Sequence, residues 1–409
     1  MRSSLCDTAR MLATGMKRFL FTAHAVFALV GIATTMLGPL LPVLAQRWHL
    51  TDRQSGMLFL VQFVGGFAGA IVSTRLARHF SLHIITRAGL LLTASGFLAL
   101  ATPWRGVATL GIAIYGIGIG LSTPSITAAV SEAVPDCRAS MLNLLNFAWA
   151  LGAIAAPNLI LAALHHGFYQ IPGMLILYAI VLIGSAFLIP RTTASAFPEE
   201  PPGSKLPPST LRLIIACGIL IFVYVGIENG VAGWLPTFAT RVHAFDLQRG
   251  ALLQDTFWAT FLLGRFSAPT LLRIAGDRFL LTLSICVAAA GTIALLSLHG
   301  NACLFLSVAV VGLGCAAIFP TAIAILSHRL SGQSGSTLGF MFASAGLGAA
   351  VLPFAIGSLS SATQNLRLGM SLLLLAEVVL LIAHIVMSHI AAQTNPADTE
   401  TADAVLAGD

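Results

Sequence analysis

Apolar runs long enough to cross a lipid bilayer follow one another along this chain, separated by short polar loops. Hydrocarbon offers no water to a free backbone N–H or C=O, so spanning segments are helices or closed barrels. A helix needs about 20 apolar residues to cross and a barrel strand about 10. The runs here have helical length, so the expected fold class is an all-α membrane protein. Twelve spans are expected, at 19–44, 54–75, 84–101, 106–130, 141–164, 172–189, 211–239, 250–272, 279–298, 302–326, 336–358 and 367–390. The first run follows Arg10, Lys17 and Arg18 and is too long for a signal-peptide core, so it reads as a span.

Composition agrees. Of 409 residues, 57% are hydrophobic and 9% charged, against about 25% charged in soluble domains. The net charge of +6 does not point to nucleic acid, because the cations sit in short loops where they set topology. An even span count puts both termini on one side. With that side as cytoplasm, thirteen Lys and Arg fall on it and six on the other, while Arg87 and Arg265 lie inside spans. This is the positive-inside bias, and it predicts cytoplasmic termini; the expected location is the plasma (inner) membrane and the expected state a monomer. The six cysteines form no CxxC and no His/Cys cluster, so neither disulfides, a metal nor a cofactor is expected.

Residues 190–210 hold six of the 18 prolines and read as a stiff cytoplasmic linker. The expected order is a tail at 1–18, a six-helix bundle at 19–189, the linker, a second bundle at 211–390 and a disordered acidic tail at 391–409. The bundles repeat one another. Gly116, Gly118, Pro124, Leu142, Leu151, Gly152 and Pro157 recur 196 residues later as Gly312, Gly314, Pro320, Leu338, Leu347, Gly348 and Pro353. Two parallel six-helix repeats are a transporter architecture.

Polar residues inside spans mark the candidate site. The stretch at 219–236 holds Glu228 and Asn229 near mid-span, with Tyr224 four residues before the acid and so on its helical face. A carboxylate at that depth is costly and faces protein or water. The fifth span carries Asn143, Asn146 and Trp149 on one stripe; the eighth carries Gln254, Trp258 and Arg265 on one face, with Asp255 nearer its outer end; the second carries Gln62. Amides and aromatic faces suit a neutral polyhydroxylated ring, although polar side chains also glue membrane helices together. Arg265 lies eight residues before Arg273, about 12 Å deeper, so it is expected to be functional or ion-paired. Arg78, in the loop after the second span, and Glu132, at the end of the fourth, lie on the same membrane face and are a candidate cytoplasmic gate.

The motifs GIATTMLGPLLP at 31–42, RASMLNLLNFAWALGA at 138–153 and YVGIENGVAGWLP at 224–236 resemble the fucose permease-like branch of the major facilitator superfamily. That resemblance covers nearly the whole chain. It implies twelve transmembrane helices, a sugar-sized substrate and proton symport. It also implies departures: Gly38 stands for a membrane Asp, Thr34 and Thr35 for paired asparagines, Ser122 for a Glu, and Trp149 and Asn146 for an Asn and a Gln, while Asn143 matches. Two carboxylates tied to sugar symport are therefore absent, and proton coupling falls to Glu228 or Asp255. Glu377 lies in the twelfth span, which the resemblance places at the periphery. TRLARHFSLH at 74–83 resembles the superfamily's signature loop with Arg78 for its acid and Ser81 for its Gly; the later LLRIAGDR keeps Gly276, Asp277 and Arg278.

The expected function is secondary transport of a small polar solute, a sugar among the candidates, coupled to a proton or another ion. An efflux pump for amphipathic compounds and a non-transporting sensor are the alternatives. No HExxH, GxSxG or paired-carboxylate motif supports an enzyme.

Overall fold

The computed structural model describes residues 2–134, 138–165, 167, 170–190, 208–329 and 335–393. Among them every regular element is an α-helix. In the N-terminal half these are α1 (Arg2–Thr35), α2 (Leu37–Trp48), α3 (Asp52–Leu76), α4 (Leu82–Leu100), α5 (Arg105–Ala133), α6 (Arg138–His165) and α7 (Gln170–Leu188). In the C-terminal half they are α8 (Pro208–Val242), α9 (Leu247–Ala275), α10 (Asp277–Ser297), α11 (Asn301–Ala316), α12 (Ile318–Arg329), α13 (Gly335–Thr363), α14 (Leu366–Met370) and α15 (Leu372–Gln393). The expected first tail is helical from Arg2, continuous with the first span. Most of the linker and of the acidic tail lies outside the described residues.

Eleven segments among the described residues are long and apolar enough to cross a membrane. Three spans are broken in two: the first at Met36, the tenth at Ala317 and the twelfth at Ser371. Proline explains two of these breaks. Pro39 and Pro42 follow the first, and Pro320 follows the second; each lacks an N–H, and its ring crowds the preceding turn. The twelfth helix of spanning length is α9. Its 29 residues reach about 43 Å, but Gln248, Arg249, Gln254, Asp255 and Arg265 lower its hydropathy.

The chain divides into two compact units. Unit 1 comprises Met1–Trp48 and Val61–Phe197; unit 2 comprises His49–Leu60 and Pro198–Asp409. In unit 1, α1 packs on α6, and α4 packs on α5 and α7. In unit 2, α8 packs on α13 and α15, and α11 on α9 and α10. Pairs α1·α6 and α8·α13 are equivalents under the sequence repeat, as are α4·α5 and α10·α11. The repeat extends to backbone contacts. Gly152 meets the carbonyl of Ala28, and its counterpart Gly348 meets that of Phe222. A side chain at either glycine would collide with backbone and force the helices apart.

The two signature-like loops differ in backbone. Gly276 joins α9 to α10 with φ of +77°, its N–H donating to Leu272 O at 3.1 Å. That conformation favours glycine. Ser81, in the earlier loop, precedes α4 with φ of −66° and ψ of 146°, which any residue adopts. Loss of glycine there carries no strain.

The first turns of α3 belong to unit 2 through their contacts. Asp52 is buried; it accepts from Arg241 on α8 through Oδ1 and from Ser360 on α13 through Oδ2. The Arg53 N–H donates to Ser361 Oγ at 2.8 Å. Gly56 lies against the backbone of Pro353 and Phe354, and Phe59 packs on Trp234 with centroids 6.4 Å apart.

Candidate functional site

Unit 1 carries its polar residues on three helices. Gln62, on α3, is buried with each end of its amide engaged: Nε2 donates to Thr34 O at 2.8 Å and Oε1 accepts from Tyr115 OH at 2.8 Å. Tyr115 stacks on Phe97 at 4.8 Å, and Phe97 meets Tyr178 edge-on at 4.9 Å. Gln62 therefore ties α1, α3 and α5 together. Asn143 and Asn146 are exposed on α6, and Trp149 is half-buried behind them. Arg78 is exposed in the turn after α3, and Glu132 is exposed in the last turn of α5. Thr34 and Ser122, at positions where the resemblance leads one to look for an amide and an acid, spend their hydroxyls on their own helices, at Val30 O and Gly118 O.

Unit 2 concentrates charge. Glu228 on α8 is buried, and its Oε2 accepts from Tyr224 OH at 2.6 Å. The shared face expected from their spacing is thus used for a direct hydrogen bond. Asn229, 100° further round, turns its Nδ2 back to Val225 O at 2.9 Å. Across from α8, the Arg265 guanidinium of α9 stands 4.5 Å from the centroid of the Phe261 ring and acts electrostatically on both Glu228 and Tyr224. The described ion pairs are Arg241–Asp52 and Arg249–Asp246, so Arg265 addresses Glu228 from beyond contact distance. Trp258 is buried and packs at near right angles on Phe257 and Phe261, 5.0 and 5.4 Å away. Gln254 is buried and Asp255 half-buried one turn earlier on α9. Cys315, on α11, closes the group from a third helix, within electrostatic range of Glu228.

Tyr115, Phe261 and Cys315 were not singled out by the sequence. Each sits in an apolar run with ordinary spacing, so only the packing reveals it. Chemically, unit 2 presents an acid with one neutral donor in contact and a cation at longer range. Such an acid can take up a proton and release it without breaking a contact ion pair. The guanidinium remains available to hydroxyl or carboxylate oxygens.

Repeated six-span units of membrane-length helices, with a buried acid, phenol and guanidinium inside one of them, define a membrane transporter rather than an enzyme. The chain belongs to the Major Facilitator Superfamily, whose family model matches residues 24–353. It is 22% identical over 379 residues to the sodium-dependent glucose transporter 1A of Mus musculus, covering 82% of this chain and 88% of the relative. It is 23% identical over 366 residues to the glucose/mannose transporter GlcP of Bacillus subtilis, covering 85% and 89%. Among solved structures, a bacterial homolog of the human lysosomal transporter Spinster, inward-facing and unoccupied, matches with a TM-score of 0.76 at 15% identity, covering 93% of this chain and 98% of that one.

Proposed function

We propose that this transporter carries a neutral sugar-sized solute and that Glu228 is the group through which a proton is coupled to its movement. The observation that carries the reading is the Tyr224–Glu228 hydrogen bond, buried and faced by Arg265. Burial disfavours a charged carboxylate and water restores it, so access of water to the site converts directly into loss or gain of a proton. The glucose and glucose/mannose transporters among the relatives support a sugar as the solute. The exposed amides Asn143 and Asn146, with Trp149 and Gln62, are the solute-binding candidates of unit 1, and Tyr224, Asn229, Gln254 and Trp258 those of unit 2. Asp255 is the second coupling candidate. The positive-inside bias supports cytoplasmic termini.

Uptake of labelled glucose or mannose into proteoliposomes tests this. An inward proton gradient should drive accumulation in the wild type. Glu228→Gln should keep counterflow, which needs no net proton movement, and lose accumulation. Uphill transport by Glu228→Gln with a normal pH profile would overturn the assignment.

A second reading is sodium coupling, favoured by the sodium dependence in the name of one relative. The same liposomes, given a sodium gradient at equal pH on both sides, separate the two. Sodium-driven accumulation, with none driven by protons, would establish the second reading.

A further inference from the structure

Unit 2 holds another buried carboxyl, outside the Glu228 group. Glu377 lies on α15 and is 2% exposed. Its Oε1 accepts the hydroxyl of Thr292, on α10, at 2.6 Å. Its Oε2 is buried with no hydrogen-bond partner among the described residues.

The groups facing it are few. From α11 comes Cys315, which lies in electrostatic range of Glu377 and also of Glu228. The sequence of α13 contains no titratable residue, and α12 has only His328 and Arg329 at its far end. Arg367, on α14, is engaged with His299 at 3.4 Å. Further along α15, His384 pairs with Thr282 at 2.9 Å and Ser388 at 3.3 Å. Arg265 addresses Glu228 and Tyr224. No ion pair to Glu377 occurs among the described residues.

An ionised carboxylate here would set its charge against a single hydroxyl donor, with one oxygen bare. Burying a charge so poorly compensated is expensive. A carboxylic acid fits the geometry: Oε1 is the carbonyl that accepts from Thr292, and Oε2 carries the proton. We propose that Glu377 is a second proton-binding group of this transporter, separate from Glu228. The inference rests on the proton-coupled reading above. The event is a plain protonation: the carboxyl takes one proton from water reaching unit 2 and returns it to water, with no other bond made or broken. With two proton-binding acids in unit 2, the pH dependence of transport belongs to both.

The test uses the full-length protein in proteoliposomes. Glu377→Gln keeps an Oε1 to accept from Thr292 and removes only the proton site. A purely structural Glu377 therefore leaves Glu377→Gln with wild-type uptake at every pH. The proposal expects wild-type counterflow with a displaced pH profile for uptake. Infrared difference spectra between acid and alkaline pH supply a readout independent of transport. The wild type should lose carboxylic-acid carbonyl intensity on alkalinisation. One component should be missing in Glu377→Gln and a different one in Glu228→Gln.

Should Glu377→Gln fold poorly, Glu377→Asp keeps a titrating group, and its component should shift rather than vanish. Spectra of Glu377→Gln identical to wild type would overturn the proposal, as would an unchanged pH profile. Absence of proton-driven uptake in the wild type overturns the proton-coupled reading instead, and the infrared component still decides Glu377 separately.

Discussion

The phenol of Tyr224 donates to Glu228 Oε2 at 2.6 Å across one turn of α8, with both side chains buried. A hydrogen bond to a charged or chargeable group, shut away from water, contributes about 1.5–3 kcal/mol. Tyr224→Phe keeps the ring and removes the donor. It should lower stability by about 2 kcal/mol, read as a drop in thermal midpoint of the purified protein. In the Glu228→Gln background the same change should cost less, and the difference between the two costs measures the pair. Equal costs in both backgrounds would show that the two groups act independently.

Arg265 combines a ring contact with a long-range charge. The Phe261 face below its guanidinium is worth roughly 0.5–2 kcal/mol, and the planar fork gives it geometry that an ammonium lacks. Arg265→Lys should slow uptake about tenfold, corresponding to about 1.4 kcal/mol. Arg265→Gln should slow it further, because Glu228 then loses its cation. Wild-type rates in both variants would reduce Arg265 to a packing residue.

Asp52 and Arg241 are unequal partners. The aspartate side chain is 8% exposed and the arginine side chain 51%. Arg241→Ala leaves a buried carboxylate with Ser360 as its side-chain donor, whereas Asp52→Ala releases an arginine that water can solvate. Arg241→Ala should therefore cost the more, about 3 kcal/mol, and Asp52→Ala about 1–2 kcal/mol, chiefly at Ser360. Thermal unfolding of the two variants ranks them, and the reverse order would refute the asymmetry.

His243 follows the last residue of α8, beyond the span. Burial first, then the positive charges of Arg367 and His299, hold its imidazole below the ordinary value of 6.5. The unfolded chain therefore takes a proton on His243 at a higher pH than the folded protein does. Stability from this residue is complete above pH 6.5 and is lost as the pH falls through the lower folded value. His243→Gln should flatten the decline in thermal midpoint between neutral and acid pH. Parallel curves for wild type and variant would exclude a contribution.

Arg78 and Glu132 are both exposed in unit 1, where a single charge pair is worth at most about 1 kcal/mol in stability. Their proposed gating role should show instead in kinetics. Arg78→Ala and Glu132→Ala should change uptake rate non-additively and raise labelling of a cysteine placed at the Glu132 end of α5. Additive effects would reject the gate.

What could be read from the sequence depended on whether a helix has distinguishable faces. The Tyr224–Glu228 bond follows from a spacing of four on one helix, so the residues announce it. Gln254, Trp258 and Arg265 likewise declare one face of α9, the most polar of the spanning helices. The partner of Arg265 was not legible, because it comes from another helix and no local pattern names it. Glu377 shows the opposite limit. Around it α15 reads LLLLAEVVLLIAHIVM, apolar on every side, so hydropathy assigns no inward face. Only the approach of Thr292 does so. The repeat was legible through Gly152 and Gly348 because backbone contact tolerates no substitute for hydrogen there.

The origin of unit 2 in two separate stretches of chain sets how this protein can be cut and recombined. A C-terminal half taken from residue 198 onward contains Arg241, Trp234 and Ser360 but lacks Asp52, Gly56 and Phe59, which complete their surroundings. Severing the chain between 197 and 198 therefore yields fragments of which the second is missing part of its own interior. A chimera that exchanges the C-terminal half with a relative transplants an arginine and a serine without their acid. A graft that respects the packing must bring residues 49–60 along with 198–409, so the unit of inheritance here is discontinuous in sequence.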